Sequence, residues 1–237
     1  MKLARRRRTT TVGGARPTHL GLVMDGNRRW ARAAGYVDPR VGHRFGAEHV
    51  AEFLSWCAAR DLEHLTIYVL SADNIRKRPG AELDHLFELL ATTIPQILTN
   101  PDAEWSLHVS GDRSLLPAAT DDALADAERR TADRPRHCTL AIGYDGRRDI
   151  VDSIRSALLS TPADEIDADA ITAGLGGGPV KEIDLVIRTS GEIRLSGFLP
   201  WQSAYAELYV TPKLWPAFTE QDLDRALAHF ESVRARG

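Results

Sequence analysis

Met24-Asp25-Gly26-Asn27-Arg28-Arg29-Trp30 is the stretch whose reading decides the fold. The apolar run that leads into it, residues 20–24, reads as a buried strand. The glycine and amide that follow mark a turn into a helix over residues 27–35, stopped by Gly35. A strand-to-helix turn presents free backbone N–H groups and the positive end of the helix dipole. Arg28 and Arg29 add two guanidiniums, which match phosphate geometry. A single carboxylate, Asp25, in so cationic a nest needs something divalent between it and the phosphates. The segment therefore reads as a diphosphate site that works with Mg²⁺.

Outward from this turn, strands and helices alternate. Strands are expected at residues 65–70, 105–110, 139–143 and 183–187. Helices are expected over residues 46–60, 82–98, 120–130, 148–159 and 220–234. Pro95 should disturb the last turn of its helix, and Thr120 should cap the next one. Residues 174–178, rich in glycine, read as a flexible loop. This alternation implies an α/β fold: a single domain with a central, mostly parallel sheet flanked by helices. Ligands of such sheets bind at the carboxyl ends of the strands. Asp25, Ser71, Asn74 and Arg188 all fall there.

The chain has 237 residues, 43% of them apolar and 27% charged, as in soluble globular proteins. A net charge of -3 argues against general nucleic-acid binding. No apolar run is long enough to span a membrane. Residues 1–17 lack the apolar core of a signal peptide and read as a basic, disordered tail, leaving residues 18–237 as the folded domain. The arginines at 5–8 give that tail a means of touching anionic lipid head groups. Two cysteines, Cys57 and Cys138, make neither a disulfide framework nor a zinc site, which points to a reducing cytoplasm.

Three further clusters carry cations, small polar groups or aromatic residues: Ser71 to Pro79, Arg188 to Ser196, and Trp201 to Tyr209. With residues 19–30, the runs Arg188-Thr189-Ser190-Gly191-Glu192 and Trp201-Gln202-Ser203-Ala204-Tyr205-Ala206-Glu207-Leu208 make the chain resemble a cis-prenyltransferase of the undecaprenyl diphosphate synthase family. The resemblance extends from about His19 to the C-terminal helix. Within the family it is nearest the short-chain actinobacterial type that makes a Z-farnesyl diphosphate.

The resemblance implies Asp25 as the Mg²⁺ ligand, with Glu207 completing the metal site. It implies Gly26, Asn27, Arg28 and Arg29 as the cradle of an allylic diphosphate, helped by His43 and Arg40. Trp30 closes that motif and is grouped with the substrate-binding residues, packing being its alternative role. Arg188, Arg194 and Ser196 would bind the diphosphate of isopentenyl diphosphate. Asn74 would stand near the proton lost from that substrate, with Ser71, Asp73, Ile75 and Lys77 around it. Ala72, Asp73 and Ile75 replace the family's usual Thr, Glu and Trp, and one extra residue precedes Pro79. The family's arginine there corresponds to Arg76, Lys77 or Arg78. A hydrophobic product tunnel is implied, with Phe53, Trp56, Phe87, Leu90 and Ile94 as residues that line or plug it. A homodimer is implied too, as is a peripheral contact with membrane for a lipid product.

Each reading has a plainer rival. Asp25 alone would be a helix cap. His43 binds phosphate or closes a loop. Glu207 sits among aromatic residues, where an acid needs a metal or an arginine. The acids at 121, 122 and 126 form the first turn of a surface helix and not a metal motif. A non-catalytic partner subunit would lack the carboxylate or the cradle, and a nucleotide enzyme would carry a glycine-rich phosphate loop that is absent here. A long-chain polyprenyl synthase and an irregular coupling of two allylic units stay open as alternatives to a short Z-prenyl diphosphate.

Overall fold

The structure, a computed structural model, describes residues 16–236. The arginine run at 5–8 lies outside the described residues, so the reading of the tail is not addressed by them. Six strands, β1 (His19–Val23), β2 (His64–Ser71), β3 (Trp105–Ser110), β4 (Arg136–Tyr144), β5 (Leu185–Arg188) and β6 (Glu207–Val210), form one sheet in the order β3-β4-β2-β1-β5-β6. Every pairing is parallel, so the sheet is wholly parallel where a mostly parallel one was expected. All residues of β1 and β5 are buried, as strands covered on both faces must be. Leu185 and Ile187 point into the larger core cluster and Val186 into a smaller one around Phe198 on the other side.

The helices are α1 (Asn27–Ala33), α2 (Pro39–Ala58), α3 (Ala72–Lys77), α4 (Gly80–Ala91), α5 (Thr93–Leu98), α6 (Ala118–Thr131), α7 (Gly146–Ala157), α8 (Ala168–Gly174) and α9 (Glu220–Arg234). Residues 82–98 form two helices and not one. The chain breaks at Thr92 (φ -123, ψ -69), three residues before Pro95. Proline's ring excludes a helical carbonyl four residues back but fits a first turn, so the break precedes it. The start of α2 is Pro39, capped by Asp38, well before the expected residue 46. Gly42 and Gly46 weaken the helical signal there, yet each is required where α2 crosses α1: a Cβ on Gly42 would stand 2.1 Å from the Asn27 carbonyl oxygen, and one on Gly46 2.3 Å from Asn27 Oδ1. Thr120 is not a cap. α6 begins two residues earlier after Pro117, and the buried Thr120 hydroxyl donates to the Phe87 carbonyl at 3.3 Å. β6, α3 and α8 are short elements without clear periodicity, and sequence reading missed them.

Candidate active site

The site is built where β1 and β5 end side by side, Val23 level with Arg188. Thr189, fully buried, joins the two exits. Its Oγ1 accepts the Asp25 N–H at 2.8 Å and donates to the Asp25 carbonyl at 2.7 Å. The Asp25 carboxylate is thereby aimed at a cluster of cations. Its Oδ2 accepts from Arg188 Nη2 at 3.0 Å, and Arg29 Nη2 stands 3.5 Å from Oδ1. Burial acts to raise the Asp25 pKa, but hydrogen bonding and charge from Arg188, with Ser190 and Arg29, outweigh it and hold the carboxyl below its usual range. Arg188, only 3% exposed, also donates to the Arg194 carbonyl and, at 2.9 Å, to Ser196 Oγ. Its buried Nε has no partner among the described residues.

Two local features hold this geometry. Gly26 caps α1 at φ 106, where a Cβ would meet Leu214 at 2.8 Å, so only glycine serves. The loop after β5 places Ser190 (φ 80), Ser196 (φ 52) and Leu199 (φ 38) in the left-handed region. Strain of that kind is retained where a fold over-determines it, often at functional sites.

Below the strand ends lies a cleft of about 830 Å³. At the strand ends its lining is polar and cationic, with Asp25, Arg28, Asn74, Arg147, Arg188 and Arg194. Its body is apolar, formed by Val50, Leu86, Leu90, Ile94 and Leu140. Such a shape takes a charged head and a hydrocarbon tail.

Asp25, Asn27, Arg28, His43, Ser71, Asp73, Asn74, Arg188, Arg194 and Ser196 all line this one cleft. Gly26 and Arg29 flank it. Ser71 also caps α3, accepting the Asn74 N–H at 3.0 Å. His43 is buried on α2 and does not close a loop.

Five expected positions fall elsewhere. Trp30 stacks on Tyr36 and packs at a tilt against Phe45 (centroids 6.3 and 5.0 Å) and does not line the cleft. Arg40 folds back on the cap of its own helix, pairing with Asp38 at 2.7 Å. Ile75 packs against the core. Lys77 points to solvent, bound to Asp73 at 2.8 Å one helical turn back, while Arg76 and Arg78 face the cleft. Glu207 opens β6 level with Leu185, hence at the amino end of the sheet, and within one chain it does not share a metal site with Asp25. Among the expected tunnel residues, Leu90 and Ile94 line the cleft, whereas Phe53, Phe87 and Trp56 belong to the packed core. Lys77→Ala and Arg40→Ala are accordingly expected to keep kcat/KM within about twofold of wild type, as substitutions at exposed pairs do. A steady-state assay showing a tenfold loss in either would return that side chain to the site.

Sequence reading missed Thr189, Tyr68, Arg147 and Glu82 as site residues. Thr189 stood inside a recognised motif. Only the four-residue spacing of Arg78 and Glu82 on one helical face announced Glu82.

Asp25 suits a hard divalent ion: an ionised oxygen donor, 34% exposed, at the cleft mouth. No group of three or more His, Cys, Asp or Glu able to hold a metal occurs among the described residues. Within one chain, Asp25 would hold such an ion together with phosphate oxygens and water, with no further carboxylate cluster among the described residues.

The family model described as undecaprenyl diphosphate synthase matches residues 23–237. An isoprenyl transferase of Streptomyces fradiae is 41% identical, over 98% of this chain and 95% of its own. A (2Z,6E)-farnesyl diphosphate synthase of Mycolicibacterium smegmatis is 40% identical, over 93% of this chain and 87% of its own. The crystal structure of lavandulyl diphosphate synthase from Lavandula x intermedia, in complex with dimethylallyl diphosphate, superposes with a TM-score of 0.84 at 32% identity, over 91% of this chain and 95% of the other. With the parallel sheet, the strand-exit carboxylate and the cationic cleft, these matches establish that the chain belongs to the undecaprenyl diphosphate synthase family of prenyltransferases.

Proposed function

We propose that residues 18–237 form a catalytic domain that condenses an allylic diphosphate with isopentenyl diphosphate, forming a Z double bond in a short prenyl diphosphate. The observation that carries this reading is one cleft that joins the Asp25–Arg188–Ser196 network at its mouth to an apolar body. Its volume of about 830 Å³ falls in the range of small-ligand pockets, about 300–1,000 Å³. Two diphosphates share it with the hydrocarbon, which favours a product of few isoprene units. The names of the relatives from mycobacteria and their kin, (2Z,6E)-farnesyl diphosphate synthase and short-chain Z-isoprenyl diphosphate synthase, support the same conclusion.

In this reading Gly26 to Arg29 hold the allylic diphosphate. Arg188, Arg194 and Ser196 hold that of isopentenyl diphosphate, with the unpartnered Arg188 Nε free to take a phosphate oxygen. The isopentenyl double bond attacks the allylic C1, diphosphate departs, and the isopentenyl unit loses a proton. The arginines stabilise the charge growing on the leaving group. Alignment of the two substrates in one cleft lowers the barrier by proximity. Mg²⁺ at Asp25, when bound, adds Lewis-acid stabilisation of that charge. Asn74 is too weak a base to take the proton and instead orients the diphosphate oxygen or water that does. The chain works as a homodimer in the cytoplasm, with its lipid product passed to a membrane; no helix among the described residues is long and apolar enough to cross one.

The irregular coupling of two allylic units is a second reading. It is favoured by the likeness to lavandulyl diphosphate synthase and by Ile75, which stands where the family has Trp. A product assay decides between them. Geranyl or dimethylallyl diphosphate with labelled isopentenyl diphosphate and Mg²⁺ is expected to give a short Z-prenyl diphosphate, with loss of turnover in EDTA. A branched product from dimethylallyl diphosphate alone would establish the irregular reaction, and long polyprenyl products would contradict the short-chain reading.

A further inference from the structure

His43, Arg78 and Glu82 meet in the cleft wall; His43 already stands among the expected helpers of the diphosphate cradle, but its contact with Glu82 has no task so far. His43 comes from α2, Arg78 from the end of α3 and Glu82 from the first turn of α4. His43 and Glu82 are 6% and 7% exposed. Glu82 Oε1 accepts from His43 Nε2 at 2.8 Å and from Arg78 Nη1. Arg78 Nη1 lies 3.4 Å from the same imidazole nitrogen, two donors converging on one oxygen. His43 and Arg78 line the cleft, whereas Glu82 stands behind them. A buried arginine–carboxylate pair suffices for structure, so a histidine sharing the same oxygen is surplus to it.

The chemistry of the contact fixes the histidine. An ionised carboxylate only accepts, so Nε2 carries the proton. His43 Nδ1 makes no hydrogen bond among the described residues and is left for a ligand in the cleft. A neutral Nδ1 presents a lone pair, which repels an anion, whereas a protonated one donates.

We propose that Glu82 is a positioning residue that holds His43 with Nδ1 toward the cleft, so that the imidazole takes up a proton from solvent as a diphosphate binds and donates from Nδ1 to a phosphate oxygen. The inference rests on the proposed function only in taking diphosphate as the ligand. In the free protein, burial lowers the His43 pKa, and the charges of Arg78 and Arg28 add to this, against the hydrogen bond and charge of Glu82. His43 is therefore neutral at pH 7 before ligand enters. The negative charge of a diphosphate offsets Arg28 and Arg78, and the ionised Glu82 behind the ring then stabilises the imidazolium. Glu82 itself is ready for this: burial alone would raise its pKa, but His43 and Arg78 bring it below the usual range.

Calorimetric titration of the full chain with inorganic diphosphate, in two buffers of different ionisation enthalpy, counts the protons taken up. Wild type is expected to take up about one more proton than His43→Asn near pH 7.5, the ligand's own protonation being common to both. Affinity should fall with rising pH in wild type more steeply than in His43→Asn. Glu82→Gln keeps the hydrogen bond but loses the charge; it should bind about tenfold more weakly, with proton uptake reduced toward that of His43→Asn. Glu82→Asp should recover part of both. If Glu82→Gln fails to fold, Glu82→Asp still reports, through an uptake between wild type and His43→Asn. Equal proton uptake in wild type and His43→Asn, or full uptake in Glu82→Gln, would overturn the inference. Proton-linked binding without prenyl transfer would leave it standing and contradict the proposed function. Absence of any diphosphate binding would end both.

Discussion

Asp25→Ala is expected to lower kcat by about a thousandfold or more while the protein stays folded. The carboxylate is the acid that Arg188 and Arg29 surround at the cleft mouth, and loss of one charge-stabilising group of this kind costs about 10²–10³ in rate, to which loss of a Lewis acid adds several kcal/mol. The structural cost is smaller. Arg188 loses one partner but keeps the Arg194 carbonyl and Ser196 Oγ. An unpaired buried group of this sort costs about 1–3 kcal/mol, and about 2–4 °C in Tm per kcal/mol for a chain of this size. Asp25→Asn retains a hydrogen-bond acceptor for Arg188, so it should melt closer to wild type yet be as inactive as the alanine variant. Thermal melts and initial rates on the same samples separate the two effects. Activity that followed Tm across both variants would reduce Asp25 to a structural role.

Gly42→Ala is expected to disturb both the fold and the site strongly. Its Cβ would lie 2.1 Å from the carbonyl oxygen and 2.8 Å from the carbonyl carbon of Asn27, which are backbone atoms that cannot rotate away. Overpacking costs about 1–3 kcal/mol, and the propensity gain of alanine in a helix, about 1 kcal/mol, does not cancel a forced shift of α1. Because Asn27 opens α1 and Arg28 follows it, the shift moves the diphosphate cradle, and KM for the allylic substrate should rise on the order of tenfold. Gly80→Ala is the control. Nothing lies within 4 Å of a Cβ there, and the residue opens α4, so stability should be unchanged or higher by up to about 1 kcal/mol. A Gly42→Ala protein as stable and active as wild type would mean that the close crossing of α1 and α2 is not what positions the cradle.

Much of this arrangement was legible in the sequence because its causes are local. A strand that leads into Asp25, a second that leads into Ser71 and a third that leads into Arg188 can be read from apolar runs followed by polar ones, and parallel topology then brings those ends together. What escaped reading depends on distant contacts. The first two turns of α2 look weak until α1 is seen lying on Gly42 and Gly46. Glu207 belongs with Asp25 in a one-dimensional reading, but the pairing of β6 with β5 places it, within one chain, at the opposite end of the sheet. Lys77 is a cation beside the cleft in sequence, but the 100° step of a helix turns it outward and leaves Arg76 and Arg78 facing in. The His43–Glu82 contact joins residues 39 apart in the chain, and no pattern in either segment announces it.

The central claim is that the carboxylate at the exit of β1 gathers a divalent ion and a diphosphate at one point. Crystals grown with Mn²⁺ and a non-reactive prenyl diphosphate analogue test it through the anomalous signal of the metal. A peak bound to an Asp25 oxygen and to phosphate oxygens is the expected result. Analogue seated in the cleft with no metal at Asp25, or with the metal held by other side chains, would contradict it.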